Sequence, residues 1–202
     1  EQRGHGENPS VGFTSFGGCE AEDLASAIAF LRGLRTPEQI PLVGQDIGVY
    51  GLEMGALAAT FAAAKDPTIK ALVLDSIPKD SDGLLEESIA RRFPFASSIT
   101  AQFAKLGAVP YFYNGCYRRE PMCDTARTIF GRKVLLLGGI DQPELQDSTS
   151  KLSKCFPPGT NVQANTDLSP SGFNLTSPSL ESSEAYDQRV IEFLRNSLTP
   201  QF

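Results

Sequence analysis

The 202-residue sequence has only one histidine, His5, and its four cysteines form neither a CxxC motif nor a cysteine–histidine pair. The usual zinc-ligand patterns are therefore missing, and we expect neither a metal nor a cofactor. No apolar run approaches the roughly 18 residues that a membrane-spanning helix needs. The chain also lacks a cationic surplus, since 18 lysines and arginines face 24 aspartates and glutamates. The resulting net charge of −6 argues against nucleic acid as a partner.

The composition is that of a globular protein, with 41% hydrophobic and 21% charged residues. Cys116 and Cys123 bracket a short loop and would form a disulfide in an oxidising compartment; the alternative is four free thiols. The chain starts at Glu1 rather than methionine, which predicts an upstream segment that was removed or left out. These two features favour an extracytoplasmic protein over a cytoplasmic one.

Short apolar runs alternate with helical periodicity, the pattern of an α/β fold with a parallel sheet. The periodicity predicts strands at 47–50, 69–74, 133–137 and 161–164. It predicts helices at 20–34, 54–65, 84–93, 99–106, 144–154 and 181–198. Residues 165–183 are rich in serine, proline, threonine and asparagine and are expected to form a loop.

Four segments resemble, in order, landmarks of the α/β-hydrolase superfamily: RGHGE at 3–7, IGVYGLEMG at 47–55, VLLLGGIDQP at 134–143 and YDQRVIEFLRNSL at 186–198. They match the loop after the fourth strand, the nucleophile elbow, the strand that presents the acid, and the closing helix. The pattern is most similar to esterase, peptidase and dienelactone-hydrolase-like members. The resemblance implies one domain over 1–202 that lacks the family's N-terminal strands and carries a lid-like insertion around 80–130.

The elbow carries a glutamate where the family has serine, cysteine or aspartate. Gly51 and Gly55 flank Glu53 and supply the small neighbours that a sharp strand-to-helix turn needs. A carboxylate cannot supply the hydroxyl that acyl transfer uses. Glu53 is expected to cap the following helix; the alternative is a former catalytic site converted into a polar contact for a ligand.

The general base is missing as well. The resemblance places it near residues 167–176, where the sequence offers Phe173 and Asn174, and the single histidine lies in the entry loop. Asparagine does not take up a proton near neutral pH, so Asp141 in the acid position has no imidazole to orient. Glu53, Asp141 and Asn174 are thus the degenerate triad positions.

Asp46 offers a second register, because Gly44-Gln-Asp46-Ile-Gly48 is similar to the aspartate elbow of epoxide hydrolases and dehalogenases. Spacing argues against it. A helix that begins at Gly48 would be seven residues longer and would contain Gly51 and Gly55, each costing about 1 kcal/mol.

These residues predict a catalytically inactive α/β-hydrolase-like protein that acts as an accessory, scaffold or binding subunit with a protein partner in a larger assembly. The alternative is an active hydrolase of esters or related small substrates that uses an acidic nucleophile or base. A third hypothesis is a small-molecule binder that keeps the old substrate pocket. The basic pairs Arg91-Arg92 and Arg118-Arg119 are expected on solvated faces, and the aromatic residues at 111–117 beneath a lid.

Overall fold

The computed structural model describes residues 14–93, 97–111, 116–140, 142–168 and 180–198. The strands are β1 (Ile47–Leu52), β2 (Ile69–Asp75), β3 (Lys133–Gly139) and β4 (Asn161–Leu168). The helices are α1 (Glu20–Gly33), α2 (Met54–Lys65), α3 (Ser81–Arg92), α4 (Ser97–Tyr111), α5 (Met122–Ala126), α6 (Pro143–Leu152) and α7 (Leu180–Leu198). All predicted helices and strands are present, and α5 is an element that the periodicity missed because it has only five residues.

The four strands form one parallel sheet in the order β1-β2-β3-β4. Leu72 of β2 lies between Val49 of β1 and Val134 of β3, so the apolar centres of the strands are in register. The predicted α/β class with a parallel sheet flanked by helices is confirmed. The strands run one to four residues further than predicted at their carboxyl ends, because pairing with a neighbour extends a strand beyond its apolar run.

Helices cover both faces of the sheet, with α7 opposite most of the others. On one face, Leu57 and Phe61 of α2 pack with Leu72, Leu74 and Leu136, joined by side chains of α1, α5 and α6. On the other face, Tyr186 and Phe193 of α7 pack on Ala71, Val73, Leu135 and Leu137. β2 and β3 are therefore buried on both sides, which explains their continuous apolar sequences. Among the described residues, no helix is both long and apolar enough to cross a membrane.

The segment between β2 and β3 contributes α3, α4 and α5. Asp80 caps α3, with its Oδ1 accepting a 2.6 Å hydrogen bond from the Gly83 N–H. Tyr117, expected in an aromatic cluster, is buried and donates to Asp82 Oδ1 at 2.7 Å. Tyr111 is exposed. Phe112 and Tyr113 lie outside the described residues, so the structure does not describe the cluster as a whole.

The cysteines are paired differently from the prediction. Cys19 is joined to Cys116 and Cys123 to Cys155, so the expected bridge between Cys116 and Cys123 and the alternative of four free thiols are both wrong. The first bridge connects the start of α1 to the loop after α4, and the second connects α5 to the turn after α6. Short sequence separation suggested the wrong pair because the fold brings residues 97 positions apart into contact.

Candidate functional site

A single residue, Glu53, connects β1 to α2 and adopts an uncommon backbone conformation. Its φ of 50° and ψ of −110° lie where residues with a side chain are rarely found. Backbone hydrogen bonds fix the turn, since the Glu53 N–H donates to the Asp75 carbonyl at 3.0 Å and the Glu53 carbonyl accepts from the N–H groups of Ala56 and Leu57. This is the sharp strand-to-helix turn that defines a nucleophile elbow.

The two glycines beside the turn have different roles. A Cβ on Gly51 would overlap the Gly55 carbonyl group and lie 2.7 Å from the Ala56 nitrogen, so residue 51 must be glycine. A Cβ on Gly55 would meet no atom within 4 Å. The predicted need for a small residue is right for Gly51 and wrong for Gly55, because the crowding arises from the Gly55 backbone and not from its side-chain position.

The Glu53 side chain is engaged by an arginine of α3. Arg91 Nη2 donates to Glu53 Oε1 and to Glu87 Oε1, both at 2.6 Å, and the Glu53 side chain is 19% exposed. Partial burial lowers the pKa of the Arg91 guanidinium, but the hydrogen bonds to Glu87 and Glu53 outweigh it and raise the pKa overall. Within the described part of the chain, Glu53 occupies the N-cap position of α2, as expected, but its side chain makes no capping hydrogen bond to the helix and pairs with Arg91.

Arg91 is exposed, as expected for a solvated face, and it also holds the elbow carboxylate. The 38 residues that separate it from Glu53 left no sequence signal for the pair. The second basic pair is also engaged: Arg119 forms a 2.9 Å ion pair with Asp82, and the Arg118 guanidinium lies 4.9 Å from the centre of the Phe61 ring. Arg91, Arg92 and Arg119 are exposed, as predicted for solvated faces, whereas Arg118 is only partly exposed. The ion pairs of Arg91 and Arg119 were not predicted.

Asp46 is exposed and precedes Ile47 at the amino end of β1, whereas the elbow lies at the carboxyl end. The register with Asp46 as a nucleophile is therefore wrong. Asp141, Asn174 and His5 lie outside the described residues, so Glu53 is the one of the three predicted triad positions that the structure describes. Helix α6 begins at Pro143, with Gln142 as its N-cap residue, directly after Asp141 in the sequence.

A buried carboxylate at the end of β2 escaped the sequence analysis. Asp75 accepts hydrogen bonds from Ser76 Oγ, at 2.8 Å, and from the Tyr186 hydroxyl of α7. The Tyr186 and Tyr50 hydroxyls lie 3.0 Å apart. Burial and then the charge of Asp75 raise the pKa of Tyr186, and burial raises that of Tyr50. The phenols thus remain protonated and act as hydrogen-bond donors at neutral pH.

A second buried carboxylate, Glu20, fixes the loop in front of the elbow. Its oxygens accept from Thr14 Oγ1 at 2.8 Å, from the Ser15 N–H at 2.8 Å, from the Ser15 hydroxyl and from the Gly17 N–H at 2.9 Å. Burial alone would raise the pKa of Glu20, but the hydrogen bonds from Ser15 and Thr14 lower it overall. Nothing in the local sequence pattern indicated that Glu20 would be buried.

A cleft of about 840 Å³ lies between α3, α4 and α6, and Glu87 and Arg91, which adjoin Glu53, line part of it. Its charged side chains include internal ion pairs: Arg91 with Glu87, Lys79 with Glu86, and Lys151 with Asp147. Leu145 and Ala101 contribute apolar surface. Pockets with an apolar wall and a few polar groups are typical of small-molecule sites.

No protein-family model and no curated protein matches this sequence. Solved structures with the same fold do exist. An esterase from Pyrococcus furiosus, Pf2001, is 23% identical with a TM-score of 0.59, and the match covers 98% of this chain and 70% of the esterase chain. MenH from S. aureus is 14% identical with a TM-score of 0.61, over 98% of this chain and 83% of its own. The α/β hydrolase GrgF from Penicillium sp. is 12% identical with a TM-score of 0.58, and the match covers 98% of this chain and 78% of the GrgF chain.

The elbow geometry, the parallel sheet and these structural matches define the class: the chain has the α/β-hydrolase fold. The resemblance found in the sequence is confirmed at the level of the fold.

Proposed function

We propose that this chain is a catalytically inactive α/β-hydrolase-fold protein that acts as a binding or accessory subunit. The observation that carries the proposal is the side chain at the elbow: Glu53 stands at the position of the nucleophile and forms a 2.6 Å ion pair with Arg91. A carboxylate has no hydroxyl to acylate, and the hydrogen bond from Arg91 occupies its Oε1 and holds it in place.

The other degenerate triad positions belong to the same proposal. Asn174 stands where the resemblance places the general base, and an amide does not accept a proton near neutral pH. Without an imidazole, Asp141 has no base to orient and serves as a loop residue. Loss of the nucleophile and loss of the base then reinforce each other, since a chain that has lost one gains nothing by keeping the other.

The binding role rests on the cleft of about 840 Å³ beside Arg91. Arg91, Lys79 and Lys151 are each paired with a carboxylate of the protein, and Glu144 adds a further negative charge to the lining. The cleft therefore has no cationic surplus, and we expect it to favour an uncharged small molecule with an apolar part over an anion. The helices between β2 and β3, within the lid-like segment around 80–130, form part of its wall. The two disulfides support a location in an oxidising compartment, where the chain would work within a larger assembly.

A thermal-shift titration with short-chain and medium-chain esters tests the binding role. We expect the wild type to bind uncharged esters without turnover, and Gln102→Trp, which narrows the cleft from α4, to lose the shift. Ester turnover that disappears in Glu53→Ala would overturn the proposal. Shifts of equal size in the wild type and in Gln102→Trp would place binding outside the cleft.

A second candidate is an ester hydrolase in which Glu53 acts as nucleophile or base. The observation that favours it is the retained elbow conformation, with a partly exposed carboxylate beside the cleft. In that case Arg91→Ala, which frees the carboxylate, should raise ester turnover, and adding Glu53→Ala to that variant should abolish it. No turnover in Arg91→Ala would remove this candidate.

A further inference from the structure

A second groove, of about 630 Å³, lies between β4 and α7 on the face of the sheet opposite α2. Helix α7 packs on β2 and β3 and leaves this face of β4 uncovered. Leu135 and Leu137 of β3 are buried beneath α7, whereas the residues paired with them on β4 are Gln163 and Asn165. The sequence thus places amides on β4 where the neighbouring strand has leucines, and these amides line the groove.

Five amide side chains line the groove. Asn161, Gln163 and Asn165 come from alternate positions of β4, and Gln188 and Asn196 come from α7. Among the described residues, the side chains of the three β4 amides have no hydrogen-bond partner. Each amide offers both a donor and an acceptor, as does each hydroxyl group of a sugar, so the two kinds of group can satisfy each other. The three β4 positions span about 13 Å along the strand, which suits a chain of sugar rings rather than a single ring.

The base of the groove is apolar. Leu135, Phe193 and Ala185 also line it, and the first two are buried beneath its surface. Sugar rings present C–H groups on their faces and hydroxyl groups at their edges. A groove that combines an apolar base with polar walls therefore fits a saccharide laid along β4.

The charged side chains of the groove favour an anion. They are the two cations Lys133 and Arg189 and the single anion Glu192, on a chain whose net charge is −6. Lys133 Nζ donates to main-chain carbonyls at the end of α7, and Glu192 Oε1 accepts from Gln188 at 2.8 Å. Arg189 has no ion-pair partner among the described residues. A guanidinium binds a carboxylate through two parallel hydrogen bonds, so Arg189 selects a ligand that carries this group.

We propose that the groove between β4 and α7 binds an acidic oligosaccharide built from uronic-acid units. The amides of Gln163 and Asn165 pair with its hydroxyl groups, and Arg189 holds a carboxylate. An extended peptide is a poorer match, because the polar groups of its main chain pair with the main-chain edge of a strand and not with side-chain amides. The groove shares no lining residue with the cleft beside Glu53, so the proposal holds whether or not the elbow is catalytically inactive.

Isothermal titration calorimetry of the full chain with trigalacturonate tests the proposal. We expect the wild type to bind it at least about tenfold more tightly than galactotriose of the same linkage, which carries hydroxymethyl groups in place of the carboxylates. Arg189→Gln should remove that preference. Gln163→Leu should weaken the binding of both saccharides at least about tenfold, because leucine leaves the bound hydroxyl groups without a partner.

Two control substitutions match these in chemistry and lie outside the groove: Gln45→Leu, before β1, and Arg92→Gln on α3. Both variants should bind trigalacturonate as the wild type does. Circular dichroism should show all four variants folded, since each substitution replaces an exposed residue.

Four results would overturn the proposal. A wild type that binds neither saccharide would leave the groove a solvated surface. Binding that is unchanged in Gln163→Leu would take place elsewhere on the chain. Equal affinity of the wild type for the two saccharides would remove the role of Arg189 and of the carboxylate. Binding of an extended Ser-Gly-Ser-Gly-Ser peptide, with no binding of either saccharide, would assign the groove to a protein segment.

Discussion

At the scale of single residues, Glu53 combines backbone strain with a specific ion pair. Strained φ/ψ values cost about 1–3 kcal/mol and persist where the surrounding structure enforces them. The enforcing contacts here are the hydrogen bond to the Asp75 carbonyl and those from Ala56 and Leu57. The Arg91 ion pair is partly exposed and adds little free energy, so its main effect is to hold the carboxylate in place.

Glycine should therefore be better tolerated than alanine at position 53. Both substitutions remove the carboxylate, but glycine adopts a φ of 50° without the steric penalty that alanine pays. We expect Glu53→Gly to have a free energy of unfolding about 1 kcal/mol above that of Glu53→Ala, measured by urea denaturation. A Glu53→Ala variant as stable as Glu53→Gly would mean that the turn relaxes out of the strained conformation.

Glu20 allows a prediction about pH. The hydrogen bonds lower the pKa of Glu20 in the folded state below its ordinary value of 4.5. The ionised carboxylate therefore stabilises the fold fully above pH 4.5, and this contribution is lost as the pH falls below that value. Glu20→Gln should lower the free energy of unfolding by about 2 kcal/mol at pH 7, because the single amide oxygen cannot accept all the hydrogen bonds that Thr14, Ser15 and Gly17 donate to the carboxylate. The difference from the wild type should shrink as the pH drops below 4.5; a constant difference would contradict the assignment.

At the scale of elements, the contact between β1 and α2 decides whether the elbow forms. Gly51→Ala should lower the free energy of unfolding by at least about 2 kcal/mol, because the new Cβ would collide with the backbone of α2. Gly55→Ala is the matched control and should be neutral or stabilising by up to about 1 kcal/mol, since its Cβ meets open space within a helix. Thermal unfolding of the two variants gives the comparison, and similar losses in both would show that the crowding at Gly51 is not real.

The two disulfides connect helices and loops that are not joined through the sheet. Replacing both cysteines of either bridge by alanine should cost about 2–5 kcal/mol. Cys19–Cys116 spans 97 residues, whereas Cys123–Cys155 spans 32. Because a bridge over a longer loop restricts the unfolded chain more, removing Cys19–Cys116 should lower the free energy of unfolding by about 1 kcal/mol more than removing Cys123–Cys155. Urea denaturation of the two double variants tests this order, and the reverse order would indicate strain in the longer bridge.

At the scale of the whole molecule, local patterns in the sequence predicted the sheet and helices well. The elbow at 51–55 was found because a strand, a tight turn and a small-residue helix follow one another directly in the chain. Contacts between distant segments were not predictable: Arg91 meets Glu53 across 38 residues, Tyr186 meets Asp75 across 111, and the cysteine partners were misassigned. Such pairs depend on how the helices are placed on the sheet, which periodicity does not encode.

The proposed loss of catalysis is also a property of the whole molecule, since it combines Glu53 at the elbow with the expected loss of the base at position 174. It leaves the fold intact, because the strained turn and the core around Leu57 and Leu72 do not depend on the nucleophile. The proposed combination of a hydrolase fold with lost chemistry is consistent with the proposed binding role.

The most direct test measures ester hydrolysis by the purified chain over short and medium acyl chains, beside Glu53→Ala under identical conditions. The account predicts negligible rates that are the same in both proteins. Turnover by the wild type that is clearly above background and is abolished by Glu53→Ala would contradict it and would make Glu53 a catalytic residue.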